Sequence, residues 1–201
     1  MYLIKRRLER EYAMQVFLFS YPSVRGTLDE NASALATYIR SRHVDIAHII
    51  GHSLGGVLAL RMHANIPDFL PGRVVCLGSP LAGSRAANYL NAQQWAEEII
   101  GKSVPDAMIN QTANDWATAV AEHRDIGVIA GNVPLGFGRL VAGFDEDNDG
   151  TIGVSETALD AATDHIVLPV SHKGMLVSAD VADQAAAFIR RGEFLRTSKG
   201  L

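Results

Sequence analysis

The chain has 201 residues, 48% of them hydrophobic and 20% charged, and its formal net charge is −4. This composition predicts a single globular domain over residues 1–201 with a substantial core, and it argues against a disordered chain. The mild acidity also argues against nucleic acid as a partner, because such binding needs Lys and Arg clustered on one face.

The chain begins with a predicted amphipathic helix and a predicted strand. Ile4, Leu8 and Tyr12 recur every four residues among charged neighbours, which is the pattern of a helix with one apolar face. The apolar run at residues 14–20 follows, and its β-branched and aromatic side chains predict a buried strand.

The rest of the chain alternates between predicted helices and strands. Thr27 and Glu30 have the spacing of a capping box, so a helix is expected to begin there. Four further apolar runs predict strands at residues 45–51, 73–80, 125–131 and 165–170. Helices are predicted at residues 53–67, 86–101 and 179–192. Apolar strands separated by helices indicate an α/β fold, with a mostly parallel sheet and helices on both faces.

Residues 84–124 are the least regular part of the sequence and are predicted to form a lid over one end of the sheet. Apolar side chains such as Leu90 and Met108 suit an acyl-binding pocket there, although a covered sheet needs the same residue types. Trp95 and Trp116 are interpreted as packing residues of this lid or of the core.

Gly51-His52-Ser53-Leu54-Gly55 fits the pattern G-x-S-x-G, between a predicted strand and a predicted helix. In such a turn, the positions of Gly51 and Gly55 approach so closely that neither is expected to have room for a Cβ atom, and Ser53 projects its hydroxyl above the sheet. The Leu54 N–H at the start of the helix is a candidate oxyanion donor. The alternative is an ordinary glycine-rich turn in which Ser53 is a helix N-cap.

A serine nucleophile needs a histidine to accept its proton and an acid to orient that histidine. Among the seven histidines, His172 directly follows the last predicted strand, where such a base is expected. Asp149 precedes it in the chain and completes the order Ser, Asp, His. His52 is expected to point away from Ser53, and His63 is expected to be solvated on its helix.

Five segments occur in an order that resembles a known family: SYPS, GHSLGG, GSPLAGS, NDGT and LPVSHKGML. With them the chain resembles the α/β-hydrolase superfamily, and within it small bacterial lipases and esterases related to GPI inositol-deacylase-like proteins. The resemblance implies hydrolysis of carboxylic esters, often lipid or acyl esters, without a metal or another cofactor. It implies Ser53 as nucleophile, Asp149 as orienting acid, His172 as base and the Leu54 N–H as an oxyanion donor.

The sequence departs from this family at its start. The family has an earlier strand ending in His-Gly, whose loop gives a second oxyanion N–H, and no such segment occurs here. The fold is therefore expected to lack that first strand and its loop, and the chain to be missing its natural beginning. Strand edges left unpaired would need another partner. The expected activity is weak or absent, since one oxyanion donor contributes about 2.7 to 4 kcal/mol.

A second pattern competes for the same aspartate. Residues 145–156 match the calcium loop D-x-D-x-D-G-x5-E in full. The candidate ligands are Asp145, Asp147, Asp149, Thr151 and Glu156. The alternative function is therefore a non-catalytic or weakly active hydrolase remnant that binds calcium.

Cellular location and partners follow from simple features. Cys76 is the single cysteine, so no intrachain disulfide forms, and a cytoplasmic protein is expected. No apolar run approaches the ~18 residues of a membrane span. The expected partner is a small-molecule ester or lipid substrate, and the sequence does not determine the oligomeric state.

Overall fold

The computed structural model describes residues 1–21, 26–82, 113–135 and 146–196. The described ranges contain five α-helices, four β-strands and two short 3-10 turns. The helices are α1 (Tyr2–Tyr12), α2 (Leu28–Arg40), α3 (Leu54–Asn65), α4 (Ala113–Ala121) and α5 (Ala179–Arg191). The strands are β1 (Ile49–His52), β2 (Val74–Leu77), β3 (Ile126–Gly131) and β4 (Asp164–Leu168), and the 3-10 turns are Ser155–Thr157 and Gly174–Leu176.

The four strands form one parallel sheet in the order β1-β2-β3-β4. The register places Gly51 beside Cys76 and Cys76 beside Val128. Because the strands are parallel, the segments that follow them all leave from the same edge of the sheet. The candidate site residues follow β1, β3 and β4, so the topology gathers them at this edge.

Both faces of the sheet are covered, as predicted. Val74 and Cys76 of β2 belong to an apolar cluster with α2, α3 and α4. Val75 and Leu77, the alternate residues of the same strand, belong to a second cluster with α1 and α5. Successive side chains of a strand point to opposite faces, so one strand serves two cores. This confirms the predicted α/β fold class.

Local sequence signals account for the helix ends. The capping box of α2 is confirmed: the Glu30 N–H donates to Thr27 Oγ1 at 3.1 Å, and the Thr27 N–H donates to Glu30 Oε2 at 2.7 Å. Helix α5 begins after Ser178, whose hydroxyl accepts the Val181 N–H. It ends at Gly192, which has a left-handed backbone with φ 81°.

The strand predicted at residues 14–20 is wrong. This segment has no helix or strand assignment, and no described strand pairs with it. Its carbonyls at Val16 and Leu18 accept from the side chains of Lys5 and Tyr38 instead. A strand needs a hydrogen-bonded neighbour, whatever its side chains prefer. In the described sheet, β1 pairs only with β2 and forms an edge.

Two further expectations concern side chains on the helices. His63 is not solvated: it lies in α3 with 3% of its surface exposed, because this helix is apolar on nearly all sides. The predicted helix at residues 86–101, with Trp95, lies outside the described residues. Of the predicted lid at 84–124, residues 113–121 form α4, whose Trp116 packs against the core cluster of α2 and α3.

None of the helices in the described ranges is both long enough and apolar enough to cross a membrane.

Candidate active site

Ser53 occupies a strained turn between β1 and α3. Its backbone has φ 54° and ψ −126°, and positive φ is uncommon for a residue other than glycine. The Ser53 N–H donates to the Leu77 carbonyl at 2.9 Å, and the Gly56 N–H donates to the Ser53 carbonyl at 3.1 Å. The Ser53 side chain makes no capping hydrogen bond, in contrast to the N-cap alternative. The Ser53 hydroxyl is therefore not used to cap the helix.

The glycines of this turn have different steric roles. A Cβ on Gly51 would overlap the backbone of Gly55 and Gly56, so Gly51 has no room for a side chain. A Cβ on Gly55 would meet no described atom within 4 Å. A Cβ on Gly56 would lie 2.9 Å from Ser79 Cβ, because α3 packs closely on the segment after β2. The prediction that neither glycine has room for a Cβ is therefore confirmed for Gly51 and wrong for Gly55, because the close approach involves the Gly55 backbone and not its side-chain position.

The Leu54 N–H lies at the first position of α3. The first amides of a helix have no carbonyl one turn earlier to bond. Among the described residues, no backbone acceptor pairs with this N–H. The amide is therefore available at the turn that carries Ser53, where the positive end of the helix dipole also favours negative charge.

Asp149 and His172 form a buried hydrogen-bonded pair. Asp149 Oδ2 lies 2.7 Å from His172 Nδ1. The two residues are 1% and 7% exposed. Because an ionised carboxylate only accepts, the contact fixes the histidine proton on Nδ1 and leaves Nε2 as the free acceptor. Within the described residues, no hydrogen bond joins Ser53 Oγ to His172.

The loop that contains Asp149 is built to hold its carboxylate in place. Asp149 Oδ1 accepts the backbone N–H groups of Thr151 at 2.9 Å and Ile152 at 2.7 Å. The His172 N–H donates to the Asp149 carbonyl at 2.8 Å. The two residues are thus joined through both backbone and side chain, and the carboxylate has a partner on each oxygen.

Two residues that the sequence analysis did not assign to the site contact this pair. Gly78, directly after β2, has φ +53°, and a Cβ there would lie 3.0 Å from Asp149 Oδ2 and 3.1 Å from His172 Nδ1. His52 Nε2 lies 2.9 Å from the His172 carbonyl, with the two ring centroids 4.5 Å apart. The position of Gly78 after a parallel strand and that of His52 beside the nucleophile were the available sequence signals.

The described residues of the calcium pattern do not converge on one point. Asp149 faces His172, Asp147 is exposed, and Glu156 Oε2 accepts the Gly153 N–H at 2.7 Å. Thr151 contributes its backbone N–H to Asp149. Asp145 lies outside the described residues. The described part of the chain contains no group of three or more His, Cys, Asp or Glu residues placed to hold a metal ion.

The sheet is parallel and covered on both faces, and a strained serine turn joins a strand to a helix at its carboxyl edge. This is the arrangement of an α/β-hydrolase fold. No model of a protein family and no curated protein matches the sequence. Solved structures do match, and they include lipases and esterases of this fold.

Three solved structures illustrate the likeness. The mature lipase BlEst2 of Bacillus licheniformis is 21% identical with a TM-score of 0.56, over 74% of this chain and 68% of that one. A monoacylglycerol lipase of Paleococcus ferrophilus is 14% identical with a TM-score of 0.52, over 94% and 86%. A thermophilic esterase is 14% identical with a TM-score of 0.55, over 84% and 75%. This chain spans 37% of the propeptide form of the Bacillus lipase. At these identities the likeness establishes the fold.

Proposed function

We propose that the chain is a serine hydrolase that cleaves carboxylic esters through an acyl-enzyme intermediate. The observation that carries the proposal is the buried contact of 2.7 Å between Asp149 Oδ2 and His172 Nδ1. This pair lies at the edge of the sheet where Ser53 is held in a strained turn. An acid that orients a histidine, together with a serine in a tight turn at the same edge of the sheet, supports a role in activating the serine hydroxyl.

The proposed reaction uses each group in a defined role. His172 Nε2 accepts the Ser53 proton as Oγ attacks the ester carbonyl, and the Leu54 N–H donates to the oxygen that becomes negative. His172 then protonates the departing alcohol, and an acyl group remains on Ser53 Oγ. Water gives a proton to His172 as it attacks the acyl carbonyl. His172 then returns this proton to Ser53 Oγ as the bond between Oγ and the acyl carbon breaks, which releases the carboxylic acid and the free serine. Asp149 stabilises the positive charge on His172 throughout.

The proposed substrates are esters with an acyl chain. The solved structures with this fold include proteins described as lipases, as a monoacylglycerol lipase and as an esterase. The sequence resemblance to GPI inositol-deacylase-like proteins supports lipid esters within the same class. The reaction as proposed needs no cofactor, because every proton transfer passes through His172 and Asp149 stabilises the charge that forms there.

The number of N–H groups that donate to the oxyanion affects the expected rate of ester hydrolysis. Among the described residues, the start of α3 provides the Leu54 N–H, and no second donor is assigned. Loss of one donor from a complete oxyanion hole lowers the rate by about 10²–10³-fold. The proposal therefore predicts measurable but slow turnover.

Hydrolysis of p-nitrophenyl acetate and p-nitrophenyl octanoate tests the proposal, with covalent labelling by a fluorophosphonate in parallel. We expect turnover of both esters and labelling at Ser53, identified by peptide mass spectrometry. Ser53→Ala should abolish both turnover and labelling. Its circular dichroism spectrum should be unchanged, because the Ser53 hydroxyl makes no capping hydrogen bond in the turn. Turnover that persists in Ser53→Ala would refute Ser53 as the nucleophile.

A further inference from the structure

His52 links two parts of the site, the turn that carries Ser53 and the loop that carries His172. The strand that carries the nucleophile ends at His52, and His172 follows the last strand of the sheet. Within the described chain, the bond from His52 to the His172 carbonyl is the single hydrogen bond between residues 49–56 and 171–176. We infer that His52 is a positioning residue, which sets where the His172 imidazole stands relative to Ser53. This inference rests on the proposed function of the same site.

The direction of the hydrogen bond follows from its chemistry. A backbone carbonyl can only accept, so the proton is on His52 Nε2, and the distance of 2.9 Å is that of a good N–H···O bond. His52 is half-buried, and burial together with nearby His172 lowers its pKa to about 4. At neutral pH the His52 ring is therefore uncharged, and it donates one proton to the carbonyl without adding a positive charge.

The absence of charge on His52 matters because of what His172 does in the proposed reaction. The His172 ring becomes positively charged when it accepts the Ser53 proton, and the centroids of the two rings are only 4.5 Å apart. A charged neighbour at that distance would oppose the proton transfer. A neutral His52 holds the loop through its N–H and does not repel the His172 imidazolium, whose charge Asp149 stabilises.

The bonds between His172 and Asp149 leave one position undetermined, and the bond from His52 determines it. The His172 N–H and Nδ1 both bind Asp149, which fixes the pair internally. Neither bond fixes the pair relative to β1. The donor of the bond to the His172 carbonyl is the residue directly before Ser53, so this bond fixes the position of the base relative to the nucleophile. A misplacement of about 1 Å in such a site can reduce the rate about 100-fold.

His52→Phe and His52→Gln separate donation from packing. Phenylalanine keeps a ring against His172 but has no donor, whereas glutamine carries an N–H₂ group that can reach the carbonyl. We expect His52→Phe to lower kcat for p-nitrophenyl acetate by about 10- to 100-fold with KM changed by less than about twofold, since positioning of the base acts on chemistry. His52→Gln should restore most of this loss.

His48→Phe is the matched control. His48 Nδ1 accepts the Arg73 N–H at 3.0 Å, and His48 lies just before β1, at the opposite end of this strand from Ser53. The control also loses a hydrogen bond between a histidine ring and the backbone, although here the ring accepts, and it does so far from the site, so we expect its kcat to equal that of the wild type. Thermal unfolding of all three variants reports whether each is folded.

Amide hydrogen exchange of His172 gives a measurement that does not need turnover. The His172 N–H is bonded to Asp149, so it exchanges only when the loop opens. We expect faster exchange in His52→Phe than in the wild type and in His52→Gln. If the wild type neither turns over ester nor reacts with fluorophosphonate, the proposed hydrolase function fails while this exchange still tests the bond. Unchanged exchange and kcat in His52→Phe, or equal losses in His52→Phe and His52→Gln, would overturn the inference.

Discussion

Asp149 Oδ2 lies 2.7 Å from Nδ1 of His172, and this carboxylate is also bonded through Oδ1 to two backbone amides. The aspartate is 1% exposed, so the hydrogen bond is shielded from water. A carboxylate that is buried and bonded on both oxygens cannot turn away from the histidine without losing bonds elsewhere. The orientation of His172 is therefore built into the loop that precedes it.

Asp149→Asn tests this orientation without removing the loop contacts. The asparagine Oδ1 can still accept the Thr151 and Ile152 amides, while its N–H₂ group faces His172 Nδ1 and favours the wrong tautomer. We expect kcat for p-nitrophenyl acetate to fall by about 10⁴-fold, as the corresponding change does in serine proteases. Asp147→Asn is the control, since Asp147 is exposed, and its kcat should stay at the wild-type value. The reversed pattern, a large loss in Asp147→Asn and none in Asp149→Asn, would reassign the acid.

Gly78→Ala tests how closely the backbone after β2 approaches the pair. The added Cβ would lie 3.0 Å from Asp149 Oδ2 and 3.1 Å from His172 Nδ1, at a φ of +53° that alanine adopts at a cost. We expect about 1–2 kcal/mol of lost stability from the backbone and, in addition, a fall in kcat of about tenfold or more from displacement of the pair.

Gly192→Ala separates these two effects. Gly192 also has positive φ, +81°, but it caps the end of α5, and the atoms nearest to a Cβ added there belong to the flexible Arg73 side chain, at 3.4 Å or more. Its alanine variant should lose similar stability and keep its kcat. Both quantities are measured by chemical denaturation and by ester hydrolysis at matched protein concentration. A Gly78→Ala enzyme with wild-type kcat would show that the pair tolerates the side chain.

Most of the fold could be predicted because its signals are local. The apolar runs at β2 and β3 are buried on both sides, and such runs are typical of strands in covered parallel sheets. The capping box at Thr27 fixes the start of α2 through bonds within four residues. Residues 14–20 have equally suitable side chains, but strand formation depends on a partner that local sequence does not specify.

The candidate site shows the same difference between local sequence signals, which predict residues, and contacts between distant segments, which they do not. Ser53, Asp149 and His172 were selected by type and chain order, and the structure brings Asp149 and His172 into contact. The contacts of His52 and Gly78 depend on how three segments far apart in the chain meet. Alternation along a strand predicted only that His52 and Ser53 point apart, and it said nothing about the His172 loop, which lies beside His52.

Alanine at Gly51 and at Gly55 should have opposite effects on stability. A Cβ on Gly51 overlaps the backbone of the next turn, whereas one on Gly55 meets no described atom within 4 Å. We expect Gly51→Ala to lose about 1–3 kcal/mol of unfolding free energy through overpacking. Gly55→Ala should be neutral or gain up to about 1 kcal/mol, because alanine favours the helix that has begun at Leu54. Urea denaturation measures both, and equal destabilisation would contradict the asymmetric turn.

His63 should make the fold sensitive to acid. Both of its ring nitrogens are buried with no hydrogen-bond partner among the described residues, and its ring packs edge-on against Phe69. Burial, with a smaller effect from the Arg124 charge, lowers the pKa of His63 to about 3. The unfolded chain binds a proton at this position near pH 6.5, so it gains protons before the folded chain does. Protonation of His63 in the unfolded chain therefore does not reduce the unfolding free energy above about pH 6.5, and it reduces it increasingly as the pH falls below this value.

His63→Leu should remove this dependence. Leucine has no group to protonate and suits an apolar helix, so the variant should unfold at a higher denaturant concentration than the wild type even at neutral pH. Between about pH 7.5 and pH 5, the wild type should lose about 2 kcal/mol more unfolding free energy than the variant, because its buried ring stays neutral while the unfolded ring is protonated. His123→Leu, at an exposed position, should follow the wild type at both pH values. Parallel pH dependences of the wild type and His63→Leu in urea denaturation would mean that His63 finds a partner when protonated.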